Sequence, residues 1–218
     1  MDIDVPIRCF GQVSMQDLAA AILAQDEAAW NENTQRQQDY EVHEQTRSIV
    51  LLFADVEAWP EAKVDRKQGW DRLGVVAEPV MQEILGRHYA PGGRIIRAMA
   101  AKLLAGGRIL PHRDSHPSFA AGHRIHVPIT TNPRVRFTVD GRPCRMEVGQ
   151  AYEINNQKMH SVMNGGTEDR ITFIFGTNTA YAQVITALVA IWEISTSSAF
   201  IYMNWIGEFA RGRFCDVE

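Results

Sequence analysis

The sequence predicts a mainly β protein in which N-terminal helices precede a jelly-roll of short strands. Before about residue 90, the chain contains Ala-rich and helix-periodic segments. From Arg94 onward it breaks into short apolar or alternating runs separated by Gly, Pro and Asn. With 218 residues and 45% hydrophobic composition, the chain is long enough to bury a sizeable core.

The N-terminal part is expected to contain two helices and one strand. Ser14, followed by Asp17, is positioned to cap a helix that runs to about Trp30, because a short side-chain oxygen satisfies orphan amide groups. The apolar run 48–53 predicts a buried strand, and residues 70–85 predict a second helix. The side chains expected on the inner face of this helix are Val75, Val76, Val80 and Ile84.

The C-terminal half is expected to form the strands of the jelly-roll. Six strands are predicted, at residues 94–104, 124–130, 134–139, 144–148, 150–154 and 170–175. Between two of them, Asp140-Gly141 supplies the positive φ angles that a tight hairpin turn requires. Helices in front of a closed jelly-roll is the architecture that this order predicts. We therefore expect one domain over residues 1–178, with a helical front (1–90) and a β core (91–178).

Residues 179–218 do not fit this domain. They form a hydrophobic C-terminal extension that is interrupted by Glu193 and by a Ser- and Thr-containing segment. A packed helix pair, a membrane contact and a tail altered by a change of reading frame all remain open. The first apolar run is too short for a clean membrane span, so a membrane role is not expected.

Charge and cysteine usage narrow the class of partner. The net charge of −4 gives no basic field to hold phosphate backbones, so no nucleic-acid partner is expected. The chain has three cysteines, Cys9, Cys144 and Cys215, which are widely separated, unlike those of a zinc site or a disulfide framework, and which predict a reducing cytoplasm. The N-terminus is acidic and lacks the basic start and apolar run of a signal peptide, so secretion is not expected. A small molecule or a peptide is the expected partner.

Three residues have the chemistry and spacing of a metal site. His112 and Asp114 lie two residues apart after a probable strand, so in an extended chain both project to the same side. His160 lies 48 residues after His112, just beyond the strand that ends near Ile154, where a return strand of a jelly-roll would bring it beside the first pair. Two histidines and one carboxylate occupy one face of Fe(II) and leave open positions for a co-substrate and dioxygen. Zinc hydrolases use similar ligands, so the three residues alone do not identify the metal.

Arg170 and the segment around His126 indicate a bound anion. By strand alternation Arg170 shares a face with Thr172 and Ile174, and a guanidinium inside a barrel requires an anion. The distal carboxylate of 2-oxoglutarate would pair with it through two hydrogen bonds. Arg124 and His126 also share a face, and they would bind the other carboxylate of the co-substrate or part of the main substrate.

Successive blocks of the sequence resemble the aspartyl/asparaginyl β-hydroxylase family. The blocks are Arg94-Ile95-Ile96-Arg97, Pro111-His112-Arg113-Asp114, Arg124-Ile125-His126, Met159-His160-Ser161 and Arg170-Ile171-Thr172. The resemblance implies a double-stranded β-helix, which is a cupin-like jelly-roll. It also implies an enzyme that uses Fe(II), 2-oxoglutarate and O2 to hydroxylate an amino-acid side chain, in a polypeptide or, as in related bacterial proline hydroxylases, in a free amino acid.

The resemblance assigns roles to individual positions. It makes His112 and His160 iron ligands, and it favours hydroxylation over halogenation because Asp114 retains the carboxylate that some members lack. It implies that Arg170 binds the distal carboxylate of 2-oxoglutarate and that His126 contacts the other carboxylate. Arg124 is expected to lie nearer the substrate. The chain departs from the family pattern mainly after Phe175. The family usually continues with an acidic residue and a polar tail, whereas this chain continues with Gly176-Thr177-Asn178 and the hydrophobic extension.

Two further functions and two further roles stay open. The chain could be a cupin-like metal-dependent dioxygenase that does not use 2-oxoglutarate, or a ligand-binding domain without turnover. Asn155-Asn156 either contacts substrate or forms a turn. Arg97 either enters the barrel and binds a substrate carboxylate or lies at an exposed strand end.

Overall fold

Two antiparallel sheets build the part of the chain that the computed structural model describes, which is residues 3–32, 45–54, 63–114, 117–120 and 122–178. The helices within these residues are α1 (Gln16–Leu23), α2 (Glu27–Asn31), α3 (Gln68–His88) and α4 (Pro117–Ala120). The strands are β1 (Ile7–Gln12), β2 (Thr46–Ala54), β3 (Val64–Arg66), β4 (Ile95–Leu103), β5 (Arg108–His112), β6 (His123–Pro128), β7 (Val135–Val139), β8 (Arg142–Cys144), β9 (Gln150–Ile154), β10 (His160–Asn164) and β11 (Arg170–Thr177).

The strand order confirms the predicted double-stranded β-helix. The larger sheet has the order β1-β9-β6-β11-β4-β2-β3, and the smaller has the order β5-β10-β7-β8. From β4 onward the chain passes back and forth between the two sheets, so each sheet receives strands from distant parts of the sequence. The outer face of the larger sheet packs against α1 and α3, and its inner face encloses a second core with the smaller sheet.

The helical front differs from the expectation in three details. The single helix expected to run to Trp30 is divided, because the Asp26 side chain accepts a 2.8 Å hydrogen bond from the Ala29 amide and begins α2. Nor does Ser14 cap α1, whose N-cap residue is Met15. The second expected helix is confirmed as α3, but Val75 is 88% exposed. Its buried face contains Leu73, Ala77, Val80, Met81 and Ile84, and Val75 lies on the opposite side.

Most of the expected strands are confirmed, with shifted ends. The Asp140-Gly141 turn is confirmed, since both residues have positive φ angles, of 54° and 74°, between β7 and β8. The strand expected at 144–148 is wrong, because β8 spans Arg142–Cys144. The six expected strands also omitted β5 and β10, which carry the two candidate histidine ligands.

A bulge sets the register between β5 and β10. His160 pairs with His112, whereas Val162 pairs with Ile109, so two steps along β10 match three along β5. This irregularity puts the two histidines directly opposite each other on neighbouring strands.

The predicted C-terminal extension, residues 179–218, lies outside the described residues. Among the helices that the structure does describe, none is long and apolar enough to cross a membrane.

Candidate metal centre and adjoining cavity

The three predicted ligands lie together at one end of the smaller sheet. Each of His112, Asp114 and His160 offers one ligand atom, and these atoms all lie within 4.8 Å of one another. The two imidazole ring centroids are 4.3 Å apart, as their paired positions on β5 and β10 require. A trio of two imidazoles and one carboxylate at this spacing suits a divalent transition metal.

Both histidines are oriented by backbone carbonyls. His112 Nδ1 lies 2.8 Å from the carbonyl oxygen of Leu110, and His160 Nδ1 lies 3.0 Å from that of Lys158. A carbonyl only accepts hydrogen bonds, so Nδ1 carries the proton in each neutral ring. The Nε2 lone pairs are therefore left for a metal ion, in the arrangement found around metal-bound histidines.

The Asp114 carboxylate is held by one of its two oxygens. Oδ2 accepts hydrogen bonds from the Arg124 guanidinium and from Asn156 Nδ2, the latter at 3.3 Å. The other oxygen, Oδ1, lies 3.9 Å from His112 Nε2. Burial would raise the pKa of Asp114, but the groups around it, with the charge of Arg124 as the largest of these effects, outweigh burial and hold the pKa below its usual value. Asp114 is therefore anionic, with Oδ1 on the side of the histidines.

His160 is held in the uncharged form that binds metals. Burial, reinforced by the positive charge of Arg124, lowers the pKa of His160 to about 4. No proton has to be displaced from this ring at neutral pH before a metal ion binds.

A cavity beside the trio contains a buried cation that has no anionic partner in the part of the chain that the structure describes. Arg170 lines the same cavity as His112 and His160. Within the described residues, its Nε has no hydrogen-bond partner, and Nη2 contacts only the sulfur of Met146, at 3.8 Å. Burial lowers the pKa of Arg170 to about 10, which still leaves the guanidinium charged at neutral pH. A buried, unpaired guanidinium is costly, so this position favours an anionic ligand.

His126 is the second unpaired polar group of this cavity. Its ring is buried, it lines the cavity, and neither ring nitrogen has a hydrogen-bond partner among the described residues. Burial, followed by the charges of Arg124 and Arg170, lowers the pKa of His126 well below its ordinary value. The neutral ring offers one N–H donor to a ligand in the cavity.

Arg124 and Arg97 lie next to each other across Gly176. Gly176 pairs with Arg97 on one side and with Arg124 on the other. Both guanidinium groups lie over the ring of Phe119 in α4, at 4.1 Å for Arg97 and 5.5 Å for Arg124. Arg124 lines the cavity as expected, and it also forms the ion pair with Asp114. Sequence reasoning missed Phe119, because a lone aromatic residue in a short loop segment carries no local signal of such a contact.

The metal-free protein is expected to lose stability on acidification because of His126. In the unfolded chain this ring has its ordinary pKa of about 6.5, so below that pH the unfolded state binds a proton that the folded state excludes. The free energy of unfolding should therefore fall as the pH drops below about 6.5, by at most about 1.4 kcal/mol per pH unit for this group. Urea unfolding at several pH values measures the slope. His126→Gln should have a shallower slope, and identical slopes would contradict the prediction.

Comparison with known proteins gives one family. The family model described as Aspartyl/Asparaginyl beta-hydroxylase matches residues 15–178, about three quarters of the chain. A comparison with curated proteins gives no significant match.

Solved structures resemble the chain at low sequence identity. An oxidoreductase of the 2OG-Fe(II) oxygenase family from Burkholderia pseudomallei is 14% identical, over 77% of this chain and 92% of that chain, with a TM-score of 0.45. HygX from Streptomyces hygroscopicus, solved with nickel, 2-oxoglutarate and hygromycin B bound, is 12% identical, over 79% of this chain and 82% of that chain, with a TM-score of 0.46. The family match, rather than these resemblances, carries the assignment.

Proposed function

Because the chain belongs to the aspartyl/asparaginyl β-hydroxylase family, we propose that this Fe(II)- and 2-oxoglutarate-dependent oxygenase hydroxylates the side chain of an amino acid, free or in a peptide. The observation that carries the proposal is one cavity that is lined by His112 and His160 of the trio and by Arg170, a buried cation that has no anionic partner among the described residues. A metal site next to an anion site is the arrangement that a metal-bound dicarboxylate requires.

The described residues fit both cofactors. His112, Asp114 and His160 supply two imidazole nitrogens and one carboxylate oxygen, a donor set that suits Fe(II) and leaves positions open. Arg170 is the group for the distal carboxylate of 2-oxoglutarate, and His126 is the donor for its other carboxylate. Two buried polar groups that have no partner within the described residues would each gain one.

The cofactors supply the oxidative chemistry, and the side chains of the protein bind and orient the reactants and limit the access of water. When bound, Fe(II) and 2-oxoglutarate couple the reduction of O2 to two changes: 2-oxoglutarate becomes succinate and CO2, and a substrate C–H becomes C–OH. Arg170 would neutralise the distal carboxylate of the co-substrate and so fix the direction of the co-substrate in the cavity. Apolar residues such as Phe137, Val162 and Ile174 line the same space and limit the access of water to it.

An amino-acid substrate is supported by the positive charge beside the trio. Arg97 and Arg124 are neighbours across Gly176, and both stack on Phe119. A guanidinium held over an aromatic ring presents its N–H edge to a carboxylate. We assign this side of the site to the carboxylate of an amino acid or of an acidic side chain, with Arg97 as the contacting residue.

Succinate release tests the substrate class. The purified protein with Fe(II) and 2-oxoglutarate is offered free amino acids, their amides, and peptides that contain Asp, Asn or Pro. At least one free amino acid or peptide should stimulate succinate release, with formation of a product 16 Da heavier. For a free amino acid, the amide should be a weaker substrate because it lacks the charge that Arg97 recognises. If the protein binds 2-oxoglutarate but no member of the panel stimulates turnover, the proposed substrate class is wrong.

A further inference from the structure

Asn156 makes three hydrogen bonds that join Asp114 to helix α4. Its side chain is 1% exposed, in the turn between β9 and β10. Its backbone carbonyl accepts a hydrogen bond from the Asp114 amide at 3.2 Å. Its Nδ2 donates both to Asp114 Oδ2 and to the carbonyl oxygen of Phe119, each at 3.3 Å. One buried amide therefore contacts a candidate metal ligand and the helix beside the proposed substrate.

The residue after it completes the hold on Asp114. Gln157 Nε2 lies 3.4 Å from the Asp114 carbonyl and 3.3 Å from Asn156 Oδ1. Strand β5 ends at His112, so Asp114 has no sheet partner to fix its backbone. The Asn156-Gln157 turn takes over that function, because it binds the amide, the carbonyl and one carboxylate oxygen of Asp114.

We propose that Asn156 is a positioning residue that, together with Arg124, fixes the Asp114 carboxylate so that only Oδ1 is available to the metal. This inference rests on the proposed assignment of Asp114 as a ligand. Arg124 and Asn156 both donate to Oδ2, which satisfies that oxygen and opposes rotation of the carboxylate. Ligation by one oxygen keeps open the positions that a bidentate co-substrate and O2 need. Asn156 thus supports the ligand and does not touch the substrate itself.

The contact with Phe119 gives Asn156 a second consequence. The ring of Phe119 stacks on Arg97, and its backbone carbonyl is bound by the amide that holds Asp114. A ligand that moves α4 would therefore alter the hydrogen bond that orients the carboxylate.

Asn155 provides a matched control in the adjacent position. It is also 1% exposed, but its Nδ2 donates to the Ile3 carbonyl at 2.8 Å and its Oδ1 accepts from the Gln157 amide. Its own backbone amide donates to the Pro6 carbonyl. The contacts with Ile3 and Pro6 hold the N-terminal segment, and the contact with Gln157 involves its backbone amide and not the side chain that contacts Asp114. The loss of the Asn155 side chain should therefore lower stability and leave the side-chain contacts of Asp114 in place.

Cobalt binding tests the proposal without turnover. Co(II) is titrated into the wild-type protein and into the variants Asn156→Ala, Asn156→Ser, Asn155→Ala and His112→Ala, and the visible d–d absorption of the bound ion is followed. Asn156→Ala should bind Co(II) about 10- to 100-fold more weakly, with an altered d–d spectrum, because loss of a partner of a ligand has that effect. Asn156→Ser should behave similarly, because the serine hydroxyl is too short to reach both Asp114 Oδ2 and the Phe119 carbonyl oxygen. Asn155→Ala should keep wild-type affinity with a lower Tm.

Three outcomes have distinct meanings. Wild-type affinity and spectrum in a folded Asn156 variant would overturn the proposal. Equal weakening in Asn155→Ala would also overturn it, since general packing would then be the cause. Undiminished binding by His112→Ala would show that the metal site itself is misassigned, which refutes the proposed function as well.

Discussion

Replacing His112 with alanine is expected to abolish substrate-dependent succinate formation. His112 supplies one of the three candidate ligand atoms that lie within 4.8 Å of one another. The Leu110 carbonyl orients its ring for binding the metal through Nε2. Two remaining ligands hold a divalent ion weakly, so the enzyme would lose iron and turnover together. The measurement is iron content after gel filtration together with succinate released per minute.

A second histidine variant separates this effect from general damage. His88 stacks on Phe10, with ring centroids 4.2 Å apart, and it belongs to the helical front rather than to the cavity lining. His88→Ala should retain iron and activity, even if its Tm falls. Full activity in His112→Ala would show that the ligand assignment is wrong.

Replacing Arg170 with alanine is expected to weaken 2-oxoglutarate binding by about 100-fold or more, since the loss of one partner of a buried, hydrogen-bonded charge pair has an effect of this size. Arg170 is buried, lines the cavity beside the trio, and has no anionic partner within the described residues. The affinity is measured anaerobically, by titrating the iron-loaded protein with 2-oxoglutarate and following the weak visible band of the complex. Iron affinity should be unchanged.

The lysine variant and thermal stability refine this prediction. Arg170→Lys keeps the charge but loses the planar pair of donors, so its affinity should fall between those of the wild type and the alanine variant. Without cofactors, Arg170→Ala should be at least as stable as the wild type, because it removes a buried cation for which the described residues offer no anionic partner. Unchanged 2-oxoglutarate affinity in Arg170→Ala would favour the cupin-like dioxygenase that does not use this co-substrate.

The sequence predicted the fold where local patterns carried enough information. Alternating strands and the Asp140-Gly141 turn were readable because each depends on neighbouring residues. The break at Asp26 was missed because capping competed with an Ala-rich pattern that continues past it. Strands β5 and β10 were missed because β5 contains Pro111 and β10 has no regular alternation of apolar and polar residues, and because the bulge in their pairing leaves no local signal.

The sequence indicated which side chains form the candidate site, but not which hydrogen bonds hold them in position. The spacing of His112, Asp114 and His160 indicated a metal site, and Arg170 indicated an anion, because each carries its chemistry in its own side chain. The link between Asn156 and Asp114 spans 42 residues and exists only in the folded chain. From the sequence, Asn156 was equally consistent with a turn.

The bulge in β5 matches the length of this strand to the position of the metal ligands. In a regular ladder that pairs Val162 with Ile109, Pro111 would lie opposite His160, and the His112 side chain would point to the other face of the sheet. The extra residue of the bulge returns His112 to the face of the sheet that His160 occupies. If Leu110 or Pro111 were deleted, the segments of β5 and β10 between the paired residues would be equal in length, and a regular ladder would also pair His112 with His160. The bulge therefore adapts a segment of β5 that is one residue longer than its partner to the geometry of the metal centre.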